Sequence, residues 1–241
     1  MKEKKHIVSF SGGKDSTAML LLLIEKNYPI DEIIMCDTGM EFDDMYKHID
    51  KVKEMIDLPI TILKANKPFE YWMFDHIKTR GKNKGQKGYS WMDFRNRWCT
   101  QILKKNVIKV YLNNKYPKSE YEVYEYHGIA LDEIERTTKN NEKNILYPLI
   151  EWGMTEEDCL NYCYDKGFDW NGLYKNMNRV SCWCCSLKGL KDYKSIYINY
   201  PEYWNKLKEM DEKTYRKFRK DYSIEELEEK FKREIEKEIN K

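Results

Sequence analysis

His6-Ile7-Val8-Ser9-Phe10-Ser11-Gly12-Gly13-Lys14-Asp15-Ser16 runs from a short β-rich stretch into a glycine pair, and Ser16 to Asn27 continues as an unbroken helix-compatible apolar segment. The order is strand, loop, helix. Such a loop gathers several backbone N–H groups around one point with the positive end of a helix dipole behind them, which makes that point an anion site. The glycines let backbone approach a phosphate without a Cβ in the way, Lys14 adds a charge, and Ser11 and Ser16 add hydroxyls. A Walker-type loop is excluded, because the required four residues do not separate a first glycine from the Gly-Lys pair. The bland alternative is a glycine turn capped by Asp15 or Ser16.

Working outward, Glu32 to Asp37 reads as a second buried strand, followed by a turn at Gly39, an amphipathic stretch through Ile56, and a third strand at Ile60 to Leu63. Thr100 to Tyr116 has helical periodicity, Glu122 to Ala130 reads as a strand, and Thr155 to Lys166 as a helix ended by Gly167. Strands alternating with helices predict an α/β fold with a doubly wound, mostly parallel sheet. The expected organisation is one domain over residues 1–190 and a charged helical extension over 191–241 packed on it. Arg80 to Gly88 holds three glycines and no large apolar side chain, and is expected to be a mobile basic loop.

The chain has 241 residues, ample for a substantial core, and its 43 Lys and Arg against 41 Asp and Glu leave a net charge of +2. That balance provides no general pull toward nucleic acid or membrane, so an anionic partner needs a local patch. The longest apolar run, Ala18 to Ile24, is too short to span a bilayer, and the N-terminal residues lead straight into a strand. A cytoplasmic protein is expected. In that reducing setting an odd number of cysteines, seven, favours free thiols or metal ligands over disulfides.

Ser11 to Ser16 matches the whole S-G-G-x-D-S signature and resembles the PP-loop of ATP pyrophosphatases. Four further segments resemble elements of the phosphoadenosine phosphosulfate reductase family within that group. They are Asp37-Thr38-Gly39 with Glu41-Phe42, Arg97-Trp98-Cys99-Thr100 with Lys104, Gly128 to Glu133 with Arg136, and Tyr147-Pro148-Leu149 with Trp152. The resemblance implies an adenine nucleotide alpha-hydrolase-like fold and an ATP site. Ser11, Gly12, Gly13, Lys14, Asp15, Ser16, Asp37, Thr38, Gly39, Gly128, Asp132 and Glu133 would bind the nucleotide and Mg²⁺. Lys14, Asp15, Arg97, Lys104 and Arg136 would act on the phosphates. Independently of the family, ligands in open parallel sheets bind beyond the carboxyl ends of strands, where Gly12, Asp37 and Gly128 are expected to meet. Taken singly, Asp37-Thr38-Gly39 also reads as a turn and each cation as a surface charge.

Two features depart from the family pattern. Its G-x-R becomes Gly128-Ile129-Ala130, and no cysteine follows Cys185, where the reductases carry a nucleophilic tail thiol. Cys182-Trp183-Cys184-Cys185 nevertheless puts three thiols in four residues with C-x-x-C spacing, which lets one loop offer two thiolates to one metal. With Cys99 in the earlier element, the arrangement resembles iron–sulfur members of the family that handle sulfur. It implies a [4Fe–4S] cluster on Cys99, Cys182 and Cys185, with Cys184 as a candidate fourth ligand. Structural zinc and buried free thiols are the competing readings. Cys36, Cys159 and Cys163 read as packing residues, and the four histidines form no ligand pattern.

The leading expectation is an enzyme that adenylates an acceptor with pyrophosphate release and inserts sulfur. Its partners would be an adenine nucleotide and an unidentified sulfur acceptor, nucleic acid being one candidate. No membrane partner is implied, and a homodimer stays open. Reduction of a sulfonucleotide and a non-catalytic nucleotide-sensing subunit are the alternatives.

Overall fold

The computed structural model describes residues 2–138 and 144–240. The chain divides into two compact units that alternate along the sequence. A sheet unit comprises residues 1–37, 43–64 and 104–171, and a cysteine unit comprises residues 38–42, 65–103 and 172–241.

In the sheet unit, β1 (Glu3–Phe10), β2 (Glu32–Cys36), β3 (Ile60–Leu63), β4 (Tyr121–His127) and β5 (Ile145–Leu146) form one parallel sheet in the order β3-β2-β1-β4-β5. The α/β fold read from the sequence is present, with helices flanking the sheet. The two residues of β5 are too few to show a period, and they went unmarked in the sequence. β1 is central, with Val8 opposite Ile33 on one side and Tyr126 on the other. From β1 the chain builds β2 and β3 to one side, then returns to build β4 and β5 on the other. The carboxyl ends of β1 and β4 therefore flank the switch point, where such sheets take ligands.

Helix α1 (Lys14–Glu25) follows β1 and is apolar almost all round, burying Ala18, Met19, Leu20, Leu21 and Leu23. It begins two residues before the apolar run suggested, because Gly13 in extended conformation takes the N-cap position. Helix α2 (Asp43–Met55) has Asp43 and Asp44 in its first turn and buries Met45, Ile49 and Val52. Between Thr100 and Lys105 the expected helix is π-type before continuing as α3 (Asn106–Lys115). Glu32 ties α3 to the sheet: this buried carboxylate accepts from Thr61, Tyr111, Lys115 and Tyr116 at 2.5–3.0 Å. Burial alone would raise its pKa, but these donors hold it below the ordinary range. After the short α4 (Pro148–Glu151), α5 (Glu156–Asp165) starts at a capping box of Thr155 and Asp158.

The cysteine unit holds α6 (Leu173–Asn176), α7 (Leu190–Asn199), α8 (Pro201–Asp211) and α9 (Ile224–Ile239). The charged helical extension is amphipathic along its last helix: α9 buries Ile224, Leu227 and Phe231, and Phe231 meets Trp204 of α8. The basic stretch at 80–88 is closed at its base by backbone hydrogen bonds. Lys78 N–H donates to Gln86 O and Gly85 N–H to Lys78 O, closing a hairpin at 3.0 and 2.8 Å. Among the described residues no helix is long and apolar enough to cross a membrane.

The loop after β4 lies directly against the start of α1. A Cβ added to Gly128 would stand 2.9 Å from both the N and Cα of Ser16. Gly128→Val is therefore expected to lower stability by about 1–3 kcal/mol through forced backbone displacement. Urea unfolding measures it, and an unchanged midpoint would refute the close approach.

Candidate nucleotide loop and cysteine site

The loop at the end of β1 is held by its own serines. Ser16 Oγ donates to Gly13 O at 3.0 Å and accepts from Ser11 N–H at 3.2 Å, and the two hydroxyls lie 3.0 Å apart. Gly12 has φ +77°, and a Cβ there would meet Met45 Sδ at 2.8 Å, so the loop presses onto α2. Trp170 fixes it from another side, donating Nε1–H to Gly12 O at 2.8 Å. His48 stacks on Trp170 with ring centres 4.2 Å apart, and its Nε2 lies 3.0 Å from Thr17 Oγ1. Burial, helped by the Lys51 charge, lowers the His48 pKa to about 3, so the ring is neutral. Nothing in the sequence marked Trp170 or His48. The left-handed backbone at Trp170 and Asn171 that aims the indole inward is a property of the fold.

Lys14 is only 6% exposed and gives its ammonium to Asp15 Oδ1 at 2.8 Å and Glu156 Oε1 at 2.7 Å. Asp15, Glu133 and Glu156 each offer a carboxylate oxygen within 4.8 Å of the others. Desolvation raises the Asp15 pKa to about 6 against the pull of Lys14, and Glu156 and Glu133 push it the same way. Hard oxygen donors in this arrangement suit Mg²⁺. Arg136 pairs with Glu133, and Asp132 accepts from the Glu156 N–H at 3.0 Å, seating the start of α5. Glu156 is a site residue that the motifs missed, because α5 carries it to the loop from 142 positions away.

At the end of β2, Asp37 accepts from Tyr46 Oη at 2.8 Å and pairs with Lys64 at 3.0 Å. Cys36 donates to the Lys104 carbonyl at 3.8 Å; burial raises its thiol pKa to about 11, with the Lys104 charge opposing. Cys159 and Cys163 are buried where α5 meets α1, and Cys163 donates to Lys14 O at 3.5 Å. Burial pushes the Cys163 thiol up to about 12.

Thr38, Gly39 and Arg97 belong to the cysteine unit. Thr38 Oγ1 lies 3.7 Å from Cys182 Sγ, and Cys182 donates to Glu41 Oε1 at 3.2 Å. Cys184 is fully buried, and its thiol pKa stands well above the ordinary range because of burial and then the charges of Cys182, Cys185, Cys99 and Glu41. All four of these cysteines belong to the cysteine unit. Their loop is fixed by Trp183 N–H donating to Met40 O, Tyr193 Oη to Cys185 O, and Arg219 to the carbonyls of Ser186 and Lys188. Arg97 is exposed and makes no ion pair among the described residues.

Lys188 was not marked by any motif. It is 1% exposed, donates only to neutral acceptors, Arg179 O at 2.9 Å and Ser181 Oγ at 3.1 Å, and lies 5.5 Å from the Phe42 ring. Among the described residues it makes no ion pair. Burial lowers its pKa, while Cys185, Asp192, Cys182 and Glu41 favour its charge. A buried ammonium is costly unless negative charge shares its site, and the carboxylates of Asp192 and Glu41 are among the groups that supply it here. Thiolates on Cys182 and Cys185 would add to that charge, as they would in a metal–thiolate centre.

Residues 5–188 match the phosphoadenosine phosphosulfate reductase domain. The chain belongs to that family. Two curated relatives, both uncharacterized proteins of Methanocaldococcus jannaschii, are 30% and 26% identical to it, each over 85% of this chain. The chain spans less than half their length, 47% and 41%. Among solved structures it is similar to phosphoadenylyl-sulfate reductase from Candida auris in its phosphate complex, at 14% identity and TM-score 0.48. That match covers 74% of this chain and 81% of the other. It is also similar to U34-tRNA thiolase NcsA from Methanococcus maripaludis with its [4Fe-4S] cluster, at 17% identity and TM-score 0.42, over 86% and 74% of the two chains.

The lowered His48 pKa has a definite consequence for this family member. Neutral His48 supports stability above its unfolded pKa near 6.5, and that support is lost as pH falls from 6.5 toward 3. His48→Phe is therefore expected to flatten the fall of the urea midpoint over that window. An unchanged slope would assign the acid sensitivity to another group.

Proposed function

We propose that the protein binds ATP and Mg²⁺, adenylates an acceptor oxygen with release of pyrophosphate, and replaces that oxygen with sulfur. The observation that carries the sulfur half is the Cys182–Cys185 loop, which presents three thiols in four residues and whose Cys185 carbonyl accepts from the N–H of the buried Lys188 at 2.9 Å. For the nucleotide half, backbone N–H groups of the loop and of the first turn of α1 bind phosphate oxygens. Asp15, Glu133 and Glu156 would hold Mg²⁺, which offsets the charge of the triphosphate. Lys14 and Arg136, seated on those carboxylates, add positive charge toward the departing pyrophosphate. Asp37 receives the ribose, and Arg97 and Lys104 are further cations for phosphate or acceptor oxygens.

The acceptor oxygen forms a bond to the α-phosphorus as the bond to the pyrophosphate oxygen breaks. Hydrosulfide, the sulfur donor in this reading, then forms the bond to the acceptor atom, the bond from that atom to the activated oxygen breaks, and AMP leaves. No net electron transfer is needed. Cys99, Cys182 and Cys185, with Cys184 beside them, would hold a [4Fe–4S] cluster, whose chemistry is to bind sulfide at iron. Glu41 accepts the proton-bearing side of Cys182 when that thiol is not ligated, and Thr38 positions the same sulfur.

Anaerobic protein given ATP, hydrosulfide and acceptor is expected to yield AMP and pyrophosphate. ADP and phosphate as the only products would reject adenylation, and sulfite release from adenylylsulfate would assign sulfonucleotide reduction instead. Iron with acid-labile sulfide is the expected content of the cysteine site, and stoichiometric zinc without either would overturn the cluster.

Lys188→Met separates a counter-charge from ordinary packing. The variant is expected to retain less metal after gel filtration, while its metal-free form melts at or above the wild-type temperature because a buried charge has gone. Equal loss of melting temperature in the loaded and chelated forms would leave Lys188 a packing residue only.

A further inference from the structure

The cysteine unit carries a groove of about 590 Å³ whose one wall is the Ser186-Leu187 segment directly after Cys185. Phe94, Arg95 and the Arg216 to Asp221 segment line it as well. Phe94 is 68% exposed, and the Arg95 guanidinium lies 5.2 Å from its ring centre. An aromatic ring with that exposure at a groove mouth, backed by a cation, has no role in the core.

The cations lining this groove outnumber its acids, and two of them, Arg95 and Lys220, make no ion pair among the described residues. Arg216 is tied to Asp93, Arg219 to Asp221, and Lys217 to Glu226. Arg95, Arg97 and Lys220 are exposed and make no ion pair among the described residues. The basic hairpin is tied to the segment that lines the groove. Lys78 donates to Tyr215 Oη, and that hydroxyl lies 3.3 Å from the carbonyls of Gly88 and Tyr89, joining the hairpin base to the segment that carries Arg216. Arg80, Lys82, Lys84 and Lys87 on the hairpin are exposed and likewise unpaired among the described residues. In the cysteine unit as a whole Lys and Arg outnumber Asp and Glu, and in the sheet unit the reverse holds.

We infer that this groove binds a single-stranded nucleic acid, with a base stacked on Phe94 and the backbone following Arg95, Lys220 and the hairpin cations. Separated cations along a groove match a phosphate backbone, and an exposed ring matches a base of any identity. The inference names the acceptor class of the proposed reaction; strand binding itself stands apart from that reading, and only the chemistry after binding rests on it.

Binding is measured without ATP, by fluorescence anisotropy of a labelled 12-nucleotide single strand, in RNA and DNA arms, with a duplex of the same length for comparison. The single strand is expected to bind more tightly than the duplex. Phe94→Ala is expected to weaken it about tenfold or more with little change in salt dependence. Arg95→Gln and Lys220→Gln should each reduce the slope of log affinity against log salt by about 0.7. Metal content and the urea midpoint of each variant verify that the fold is kept. Absence of single-strand binding at low salt, or binding indifferent to all three substitutions, would overturn the inference. Adenylation of a small acceptor by a protein that binds no strand would sink the groove alone. Groove-dependent strand binding with no AMP formed would sink only the proposed reaction.

Discussion

The nucleotide end of the molecule depends on one contact in which two backbones meet with no side chain between them. Gly128, at the end of β4, sits so close to the N-terminus of α1 that a single added carbon would strike Ser16. This approach brings the carboxyl ends of two neighbouring strands together at the switch point of the sheet. It also places the turn bearing Asp132, Glu133 and Arg136 beside the loop bearing Lys14 and Asp15. The acidic residues meet there because the backbones do, and α5 completes the group with Glu156, whose N–H is held by Asp132.

A comparable constraint governs the cysteine unit, but charge is the controlling quantity. Three thiols in four residues need a loop that does not collapse on itself, and it is held by backbone and hydroxyl contacts from Met40, Tyr193 and Arg219. Lys188 is buried beneath that loop, its backbone N–H donating to Cys185 O at 2.9 Å. Its hydrogen bonds go to neutral oxygens, and the groups favouring its charge begin with Cys185. A fold can carry such a residue at low cost only when an anion shares the site.

Much of this was legible in the residues. Ser11 to Ser16 specified strand, loop and helix, because a glycine pair between a β-rich run and an apolar helix leaves few other conformations. The C-x-x-C spacing and Cys99 marked thiols that lie in one unit of the fold. What stayed hidden came from residues whose partners are distant in sequence. Glu156 reads as an ordinary first-turn helix acid, Trp170 as core, and Lys188 as one lysine among many, until the fold gives each a single neighbour that matters. The Asp37-Thr38-Gly39 motif also concealed a division. Asp37 stays with the sheet, while Thr38 crosses into the unit that carries Cys182.

The balanced composition concealed the rest. A net charge of +2 argues for no polyanionic partner, yet it is the near-cancellation of an acidic sheet unit and a basic cysteine unit. That division bears on how each unit can hold phosphate. An acidic surface cannot draw in a triphosphate through its long-range field, so binding there must come from short-range donors, the loop N–H groups, and from a divalent cation collected by the acids themselves. The basic unit has the opposite physics. Its exposed cations act at a distance, suit a ligand whose charges are spread along a chain, and lose strength as salt is added. Two ways of binding phosphate, one dipolar and local and the other Coulombic and extended, would thus fall on different parts of one chain, each matching the ligand proposed for it.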